Sequence, residues 1–183
     1  MNDATNIRVA GFGGQGIMMF GQILAYSATI NDKNALWFPS YGPETRGGTA
    51  NCTVIVSKEV IASPVFQNAN HFIAFNLPSL MKFHEKVANK GLILYNSSLI
   101  KEEQKMDNVL VIGVPINEIA AKLENEKVIN MVMLGAYLEL TDLFNQHTVE
   151  AALKKFLGNR KSQMLDVNLD AIEQGRQYIK GLA

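Results

Sequence analysis

The sequence has little cysteine and no excess of either charge, and each shortage excludes a class of protein. Cys52 is the single cysteine in 183 residues, so the chain can form neither an internal disulfide framework nor a multi-cysteine metal or iron–sulfur site. Basic and acidic residues balance at 17 each, and no net field attracts nucleic acid or an anionic membrane. The histidines, His71, His84 and His147, lack the spacing of metal ligands and are interpreted as structural or surface residues.

Long apolar runs are also missing. The longest, residues 128–144, is interrupted by Glu139 and Asp142 and is too broken to span a bilayer. The first six residues are polar and do not resemble a signal peptide. We therefore expect a cytoplasmic protein with no membrane span, in which residues 1–183 form one domain.

A glycine-rich segment lies between a predicted strand at residues 7–12 and a predicted helix at 17–30. The candidate anion-binding residues of this segment are Gly11, Gly13, Gly14, Gln15 and Gly16. A glycine loop in this context presents free N–H groups at the helix start, where the helix dipole also favours negative charge. Gly11 is expected to permit the turn, Gly13 to let a ligand approach the backbone, and Gly16 to let the helix pack on the sheet. The alternative is a tight turn that binds nothing.

A second segment, residues 39–48, has the sequence Pro-Ser-Tyr-Gly-Pro-Glu-Thr-Arg-Gly-Gly. Its glycine and proline content predicts a shaped loop after a short strand at 35–38, neither strand nor helix itself. Arg46 can hold a phosphate or carboxylate through two parallel hydrogen bonds, or it can pair with Glu44 inside the loop. Ser40 and Tyr41 are further candidates, and Tyr41 can either stack on a ligand ring or pack in an interface.

The fingerprint of NAD binding is incomplete in this sequence. It requires an acidic residue at the end of the second strand to hold the ribose hydroxyls. Here Phe38 is followed directly by Pro39, and Asp32 precedes the strand. Cys52 falls within a strand pattern and is interpreted as a small buried hydrophobic residue.

Strand and helix patterns alternate along most of the chain. Further strands are predicted at 49–57, 71–75, 91–95 and 109–114, with residues 60–62 as a candidate hairpin partner of the first. Helices are predicted from a cap at Asn76, at 115–123, at 128–144 with apolar residues nearly all round, at 148–157 and at 163–179. This order predicts an α/β fold, a three-layer α/β/α arrangement of Rossmann-like type with a mainly parallel sheet and C-terminal helices.

In such a fold, ligands bind beyond the carboxyl ends of the strands. The segments predicted to meet there are residues 11–16, 40–48, 76–79, 96–98 and 115–117. They supply glycine backbone, amides and hydroxyls, with Glu44 and Arg46 as the charged residues, and no nucleophile–base pair. The edge is therefore predicted to bind a ligand and to carry no catalytic residue and no metal.

The two glycine-rich segments together resemble the gamma subunit of the 2-oxoacid:ferredoxin (acceptor) oxidoreductases, the pyruvate/ketoisovalerate oxidoreductase gamma family. The resemblance covers nearly the whole chain, and the Ser-Tyr-Gly-Pro-Glu-x-Arg-Gly-Gly motif is its most specific part. The Thr-Ala-Asn-Cys that follows is most similar to the 2-oxoglutarate-type members, and the branched-chain oxoacid enzymes are similar as well. Further matching segments are residues 63–64, 75–80, 96–98, 115–120 and 130–135.

The resemblance implies a subunit that is inactive alone, in a complex that oxidatively decarboxylates a 2-oxoacid to an acyl-CoA. It implies that thiamine diphosphate, Mg²⁺ and iron–sulfur clusters lie on partner subunits: alpha, beta and a ferredoxin-like delta subunit. Ferredoxin or another acceptor takes the electrons. It also implies that this chain holds CoA near the active site, through Gly13, Gly14, Gln15 and Gly16 with Ser40, Tyr41 and Arg46.

Two other hypotheses fit the residues. In one, the chain is a stand-alone nicotinamide or flavin oxidoreductase that uses the same glycine loop. In the other, it is a purely structural scaffold whose two glycine-rich segments only shape an interface.

Overall fold

A computed structural model describes residues 4–42, 49–158 and 164–182 of the chain. Its strands are β1 (Thr5–Phe12), β2 (Asn34–Tyr41), β3 (Thr49–Ser57), β4 (Ala69–Ala74), β5 (Val87–Asn96) and β6 (Leu110–Val114). Its helices are α1 (Ile17–Ile30), α2 (Leu77–Phe83), α3 (Ile116–Lys122), α4 (Ile129–Thr141), α5 (Gln146–Leu157) and α6 (Leu165–Lys180). Single 3₁₀ turns lie at His84–Lys86 and Glu126–Val128.

The six strands form one sheet in the order β2-β3-β1-β4-β5-β6. Strands β1, β4, β5 and β6 are parallel neighbours, whereas β3 runs antiparallel to both β1 and β2. The predicted α/β fold with a mainly parallel sheet is confirmed. The strand predicted at 49–57 is present as β3, but its antiparallel position between β1 and β2 was not predicted.

Helices cover the two faces of the sheet unequally. Because side chains alternate along a strand, Ile7 and Val9 of β1 face the larger core, formed with α1 and α3 to α6. Ala10 faces the smaller core on the other side, where Leu80 of α2 covers Phe72. The three layers are therefore present, and the outer layer that contains α2 is thin.

Helix α4 is buried on all sides, as its apolar composition predicted, and residues 130–138 are all buried. Its closest neighbour is α6, which it meets through a glycine on each helix. A Cβ placed on Gly135 would lie 1.9 Å from the Ile172 carbonyl oxygen, and one on Gly175 would lie 1.9 Å from the Val132 carbonyl oxygen. Only glycine allows two helix backbones to approach this closely.

Two local predictions are wrong. Pro39, Ser40 and Tyr41 belong to β2 and not to a loop, because β2 is an edge strand and can accommodate a proline that lacks an N–H group. Residues 60–62 form no strand, since β3 already pairs with β1 on one side and β2 on the other. Within the described ranges, every helix is too short or too polar to cross a membrane.

Candidate functional site

The glycine loop connects the carboxyl end of β1 to the start of α1. Gly14 has φ 94° and Gly16 has φ 77°, a backbone conformation that strongly favours glycine. Gly13 and Gly14 are exposed, and among the described residues no side chain caps the start of α1. The first N–H groups of a helix have no partner within the helix, so this loop offers them to a ligand.

A shallow depression of about 350 Å³ lies over this loop. Its lining residues are Phe12, Gly13, Gly14, Gly16, Ile17, Met18, Met19 and Tyr41. Tyr41 comes from the end of β2 and is 61% exposed, so the structure brings this residue of the second segment to the glycine loop. None of these described lining residues is charged, so among them the helix start is the source of positive potential.

Gln15 points inward and fixes the loop. Its side-chain oxygen accepts hydrogen bonds from the Phe12 N–H at 2.7 Å and from the Asn76 amide at 3.3 Å. Its amide nitrogen donates to the Phe75 carbonyl at 3.5 Å. Gly11 is buried behind it, and a Cβ there would lie 2.6 Å from the Gln15 oxygen. These two predicted ligand contacts therefore support the loop from behind in the structure.

Asn130 of α4 is a residue of the site that the sequence analysis missed. Its amide donates to the Gly16 carbonyl at 3.2 Å, and a Cβ on Gly16 would lie 2.3 Å from the same amide nitrogen. Gly16 therefore allows the approach of α4, which corrects the expectation that it serves helix–sheet packing. The available signal was an asparagine inside a helix that is otherwise apolar nearly all round.

A network of amides continues along the edge towards β5 and α3. Asn96, which is buried, donates to the Phe75 carbonyl at 3.3 Å and to the Asn117 side-chain oxygen at 2.9 Å. The Asn117 N–H donates to the Ser98 hydroxyl oxygen at 2.9 Å. Ser98 in turn donates to Glu118, and this hydrogen bond is the main cause that lowers the pKa of Glu118. The strand ends thus meet as predicted.

The remaining predicted ligand residues are Ser40 and Arg46. The cross-strand partner of Ser40 is Asn51, and Ser40 is exposed without lining the depression. Arg46 lies outside the described residues, as does Glu44.

The cysteine and one of the histidines are packed inside the protein. Cys52 is buried with its sulfur 3.5 Å from the Ile17 carbonyl, and burial raises the pKa of the thiol to about 12. The His71 ring lies 2.8 Å from the Tyr137 hydroxyl, and burial lowers the pKa of His71 to about 4. The described residues contain no group of three potential metal ligands. The site can bind and orient a ligand through neutral groups.

The fold is an α/β domain with a glycine loop between a strand and a helix, and comparison with known proteins assigns its family. Residues 6–178 match the pyruvate ferredoxin/flavodoxin oxidoreductase family, and the chain belongs to it. The ketoisovalerate oxidoreductase subunit VorA of Methanothermobacter thermautotrophicus is 38% identical over 176 residues. The 2-oxoglutarate synthase subunit KorC of Methanocaldococcus jannaschii is 31% identical over 179 residues.

Solved structures agree with the family. The gamma subunit of a keto/oxoacid ferredoxin oxidoreductase from Geobacter sulfurreducens is 27% identical, with a TM-score of 0.82 over 97% of this chain and 99% of that one. The 2-oxoglutarate:ferredoxin oxidoreductase from Magnetococcus marinus, solved with 2-oxoglutarate, coenzyme A and succinyl-CoA bound, is 25% identical with a TM-score of 0.90. The resemblance to gamma subunits is thereby confirmed.

The relatives differ in how much of their length this chain covers. The match spans 96% of this chain and 94% of KorC, so the two are of similar length. By contrast, it spans 95% of this chain but 36% of VorA, and 100% of this chain but 32% of the Magnetococcus chain. In those longer proteins, the region similar to this chain is about one third of a single polypeptide.

Proposed function

We propose that the chain is the gamma subunit of a 2-oxoacid:ferredoxin or other-acceptor oxidoreductase complex, with 2-oxoglutarate as the oxoacid. The observation that carries this proposal is the similarity to KorC over nearly the full length of both chains. Ketoisovalerate is the second candidate, because the identity to VorA is higher although VorA is a much longer protein. The activity belongs to the assembled complex, and the chain alone is inactive.

The rest of the complex is supplied by alpha, beta and ferredoxin-like delta subunits. A cubane or two-iron cluster needs several cysteine ligands, and this chain has one, which is buried. We therefore assign the iron–sulfur clusters, together with thiamine diphosphate and Mg²⁺, to those partners. Ferredoxin or another acceptor receives the electrons from them.

We propose that the glycine loop holds a phosphate group of CoA. Gly13 and Gly14 expose their backbone, and a Cβ on Gly14 would meet nothing within 4 Å, so an anion can approach the N–H groups freely. A depression of about 350 Å³ is at the lower end of ligand-site volumes, so it accommodates part of a molecule as large as CoA. Tyr41 borders it and offers a ring face to the ligand.

The chemistry that CoA supplies when bound is a thiol that accepts the acyl group. The contribution of this chain is positional. N–H groups at the start of α1 bind the anion, Gln15 and Asn130 keep the loop rigid, and Arg46 is the predicted additional clamp. Fixing one end of a long flexible ligand raises the local concentration of its reactive end near the active site. Positioning of this kind lowers the free-energy barrier of the reaction, because less entropy is lost when the reacting groups meet. None of the residues named here is assigned a proton transfer.

The scaffold hypothesis is the alternative to CoA binding by this chain. The observation that favours it is that Gln15 and Asn130 are directed at the loop and not at the depression, as expected of a loop shaped for its own packing. The nicotinamide hypothesis gains no support, because the described lining of the depression contains no acidic residue to hold a ribose.

Gly14→Ala in the assembled complex tests CoA binding, with Gly158→Ala as its matched control. Both glycines have positive φ, at 94° and 62°, and at both a Cβ would meet nothing within 4 Å, so both variants carry backbone strain without a clash. Gly158 ends α5 and is not part of the depression. We expect Gly14→Ala alone to raise the Kd for CoA by about tenfold or more, since its methyl group enters the space of the ligand and costs roughly 1.4 kcal/mol of binding.

The measurements are calorimetric CoA titration and 2-oxoacid-dependent reduction of a viologen dye, with and without the partner subunits. If Gly14→Ala and Gly158→Ala bind CoA with equal affinity, the scaffold hypothesis is favoured over CoA binding at the loop. Oxoacid oxidation by the isolated chain would refute the proposed subunit role.

A further inference from the structure

An unusual row of side chains crosses the face of the sheet opposite α1. Phe38 of β2, Thr53 of β3, Arg8 of β1 and Phe72 of β4 are direct cross-strand partners, so their side chains share that face. The row begins in the thin layer that contains α2, where Phe72 is buried, and ends at Phe38, which is 52% exposed. Helices therefore cover only one end of the row.

Arg8 carries a charge that the described parts of the chain leave without a partner. Its guanidinium carbon lies 5.2 Å from the centre of the Phe66 ring and 4.8 Å from that of Phe83. Its Nε and Nη1 atoms are buried and, within the described ranges, form no hydrogen bond. The hydroxyl oxygen of Thr53, directly opposite, is also buried and unpaired there. Arginine stays protonated in proteins, so this cation is not neutralised by losing its proton.

Exposed apolar side chains lie near Phe66, one of the two rings that contact Arg8. Val60 is 88% exposed and Val65 is 76% exposed, in a segment without regular structure that follows β3. That segment and the sheet enclose a cavity of about 270 Å³, which Ile55 and Phe66 also line. Phe66 thus joins the cavity to Arg8. Large apolar side chains that stay exposed at the rim of a cavity are typical of an interaction surface.

We propose that this surface docks a companion polypeptide that presents a carboxylate to Arg8 among apolar side chains. We call it the Arg8 face, and it consists of Arg8, Phe38, Thr53, Val60, Val65 and Phe66. A carboxylate matches a guanidinium in charge and in the geometry of its acceptor oxygens. The proposal rests on the proposed function, since the companion is a subunit of the same complex.

Two observations favour a different subunit over a second copy of this chain. In relatives such as VorA, the similar region is about one third of a longer polypeptide, so it is joined there to protein of a different sequence and not to a second copy of itself. In addition, a two-fold contact centred on the Arg8 face would bring two uncompensated cations together, which opposes association.

The test compares Arg8→Met with Lys82→Met. Both substitutions remove a cation that lies about 5 Å from the Phe83 ring, but the Lys82 residue is exposed. Companion subunits are co-purified with the tagged chain, separated from it, and titrated with each purified variant. We expect Arg8→Met to raise the Kd for the companion about 30-fold or more, as loss of one member of a buried charge pair does, and Lys82→Met to leave it unchanged.

Thermal unfolding of each isolated variant separates docking from folding. Arg8→Met should keep or raise the Tm, because it removes a buried cation without a partner. Phe38→Thr, a change at an exposed strand position, should also weaken binding while the chain stays folded. It keeps the proposal testable if the Arg8 variant does not fold.

Several results would overturn the proposal. If Arg8→Met and Phe38→Thr bind the companion as tightly as the unmodified chain does, the Arg8 face is not the docking surface. The proposed subunit role is unaffected by that result. Arg8-dependent self-association in sedimentation, or Arg8-dependent binding of inorganic phosphate, would identify a different occupant. If the unmodified chain binds no companion at all, the proposed function fails and this proposal fails with it.

Discussion

Replacing Gly135 by alanine should destabilise the chain strongly, because Gly135 sets the distance between α4 and α6. The added methyl carbon would lie 1.9 Å from the Ile172 carbonyl oxygen, whereas contacts of this kind below 3.0 Å are essentially never seen. The obstacle is backbone, so rotation of a side chain cannot relieve it. The two helices must separate by roughly 1 Å, and a gap of about this size loses up to half of the dispersion energy of each contact across it.

The size of the effect follows from two opposing terms. Overpacking of a dense core costs about 1–3 kcal/mol and sometimes more, and a contact with fixed backbone belongs at the upper end. Alanine within a helix is favoured over glycine by roughly 0.5–1 kcal/mol, which offsets part of this cost. We expect Gly135→Ala to lower the free energy of unfolding by about 2–3 kcal/mol. Gly175→Ala should have the same effect, since its methyl carbon would lie 1.9 Å from the Val132 carbonyl oxygen.

Urea denaturation followed by circular dichroism measures both variants and the double variant. The double variant should lose less than the sum of the two single losses, because helices that have moved apart for one methyl group have already made room for the other. Gly181→Ala is the control, since its methyl carbon would lie 3.5 Å from the nearest carbonyl oxygens, an ordinary contact. If Gly135→Ala unfolds at the same urea concentration as Gly181→Ala, the interpretation of this helix contact is wrong.

Three further predictions concern residues near the site and in the core. Gly16→Ala should lower the unfolding free energy by about 1–3 kcal/mol in the same assay, because its methyl carbon would lie 2.3 Å from the Asn130 amide; an unchanged midpoint would contradict this contact. Cys52 should not react with a thiol reagent at pH 8 until the chain unfolds, since it is buried and its pKa is raised to about 12; prompt labelling of the folded chain would contradict that burial. The His71 pKa falls from 6.5 to about 4 on folding, so below pH 6.5 the unfolded chain binds more protons and stability decreases towards pH 4, by up to about 3 kcal/mol. His71→Asn should flatten this dependence in urea midpoints measured between pH 7 and 4.5, and an equal slope in the two proteins would contradict it.

The sequence predicted those elements whose determinants are local. The limits of α1 and β3 agree with the structure at both ends, because a glycine loop precedes one and β-branched residues fill the other. The sequence predicts that β2 ends at Phe38, because proline usually ends a strand. Only the strand order shows that β2 lies at an edge of the sheet, where proline is tolerated. The antiparallel position of β3 depends on long-range pairing, which no local pattern reports.

The sequence predicts where the candidate site lies, but not which side chains hold its loop in place. A strand, a glycine loop and a helix in sequence indicate where an anion can bind, and the structure brings Tyr41 to the same place. Sequence could not show that Gln15 turns away from the depression, because that orientation depends on Phe75 and Asn76 at the end of another strand. Nor could it link Asn130 to Gly16 across 114 positions.

The hydrogen bond from Asn130 to Gly16 has a consequence for the order of events during synthesis. A nascent chain that has emerged only as far as β6 contains β1, the glycine loop and α1, yet it lacks the side chain that holds Gly16. The hydrogen bonds of Gln15 can form by then, but this second support of the loop forms only once α4 has left the ribosome and packed against α1. Truncated products that end before α4 are therefore expected to hold the glycine loop less firmly, even where they retain the entire glycine motif.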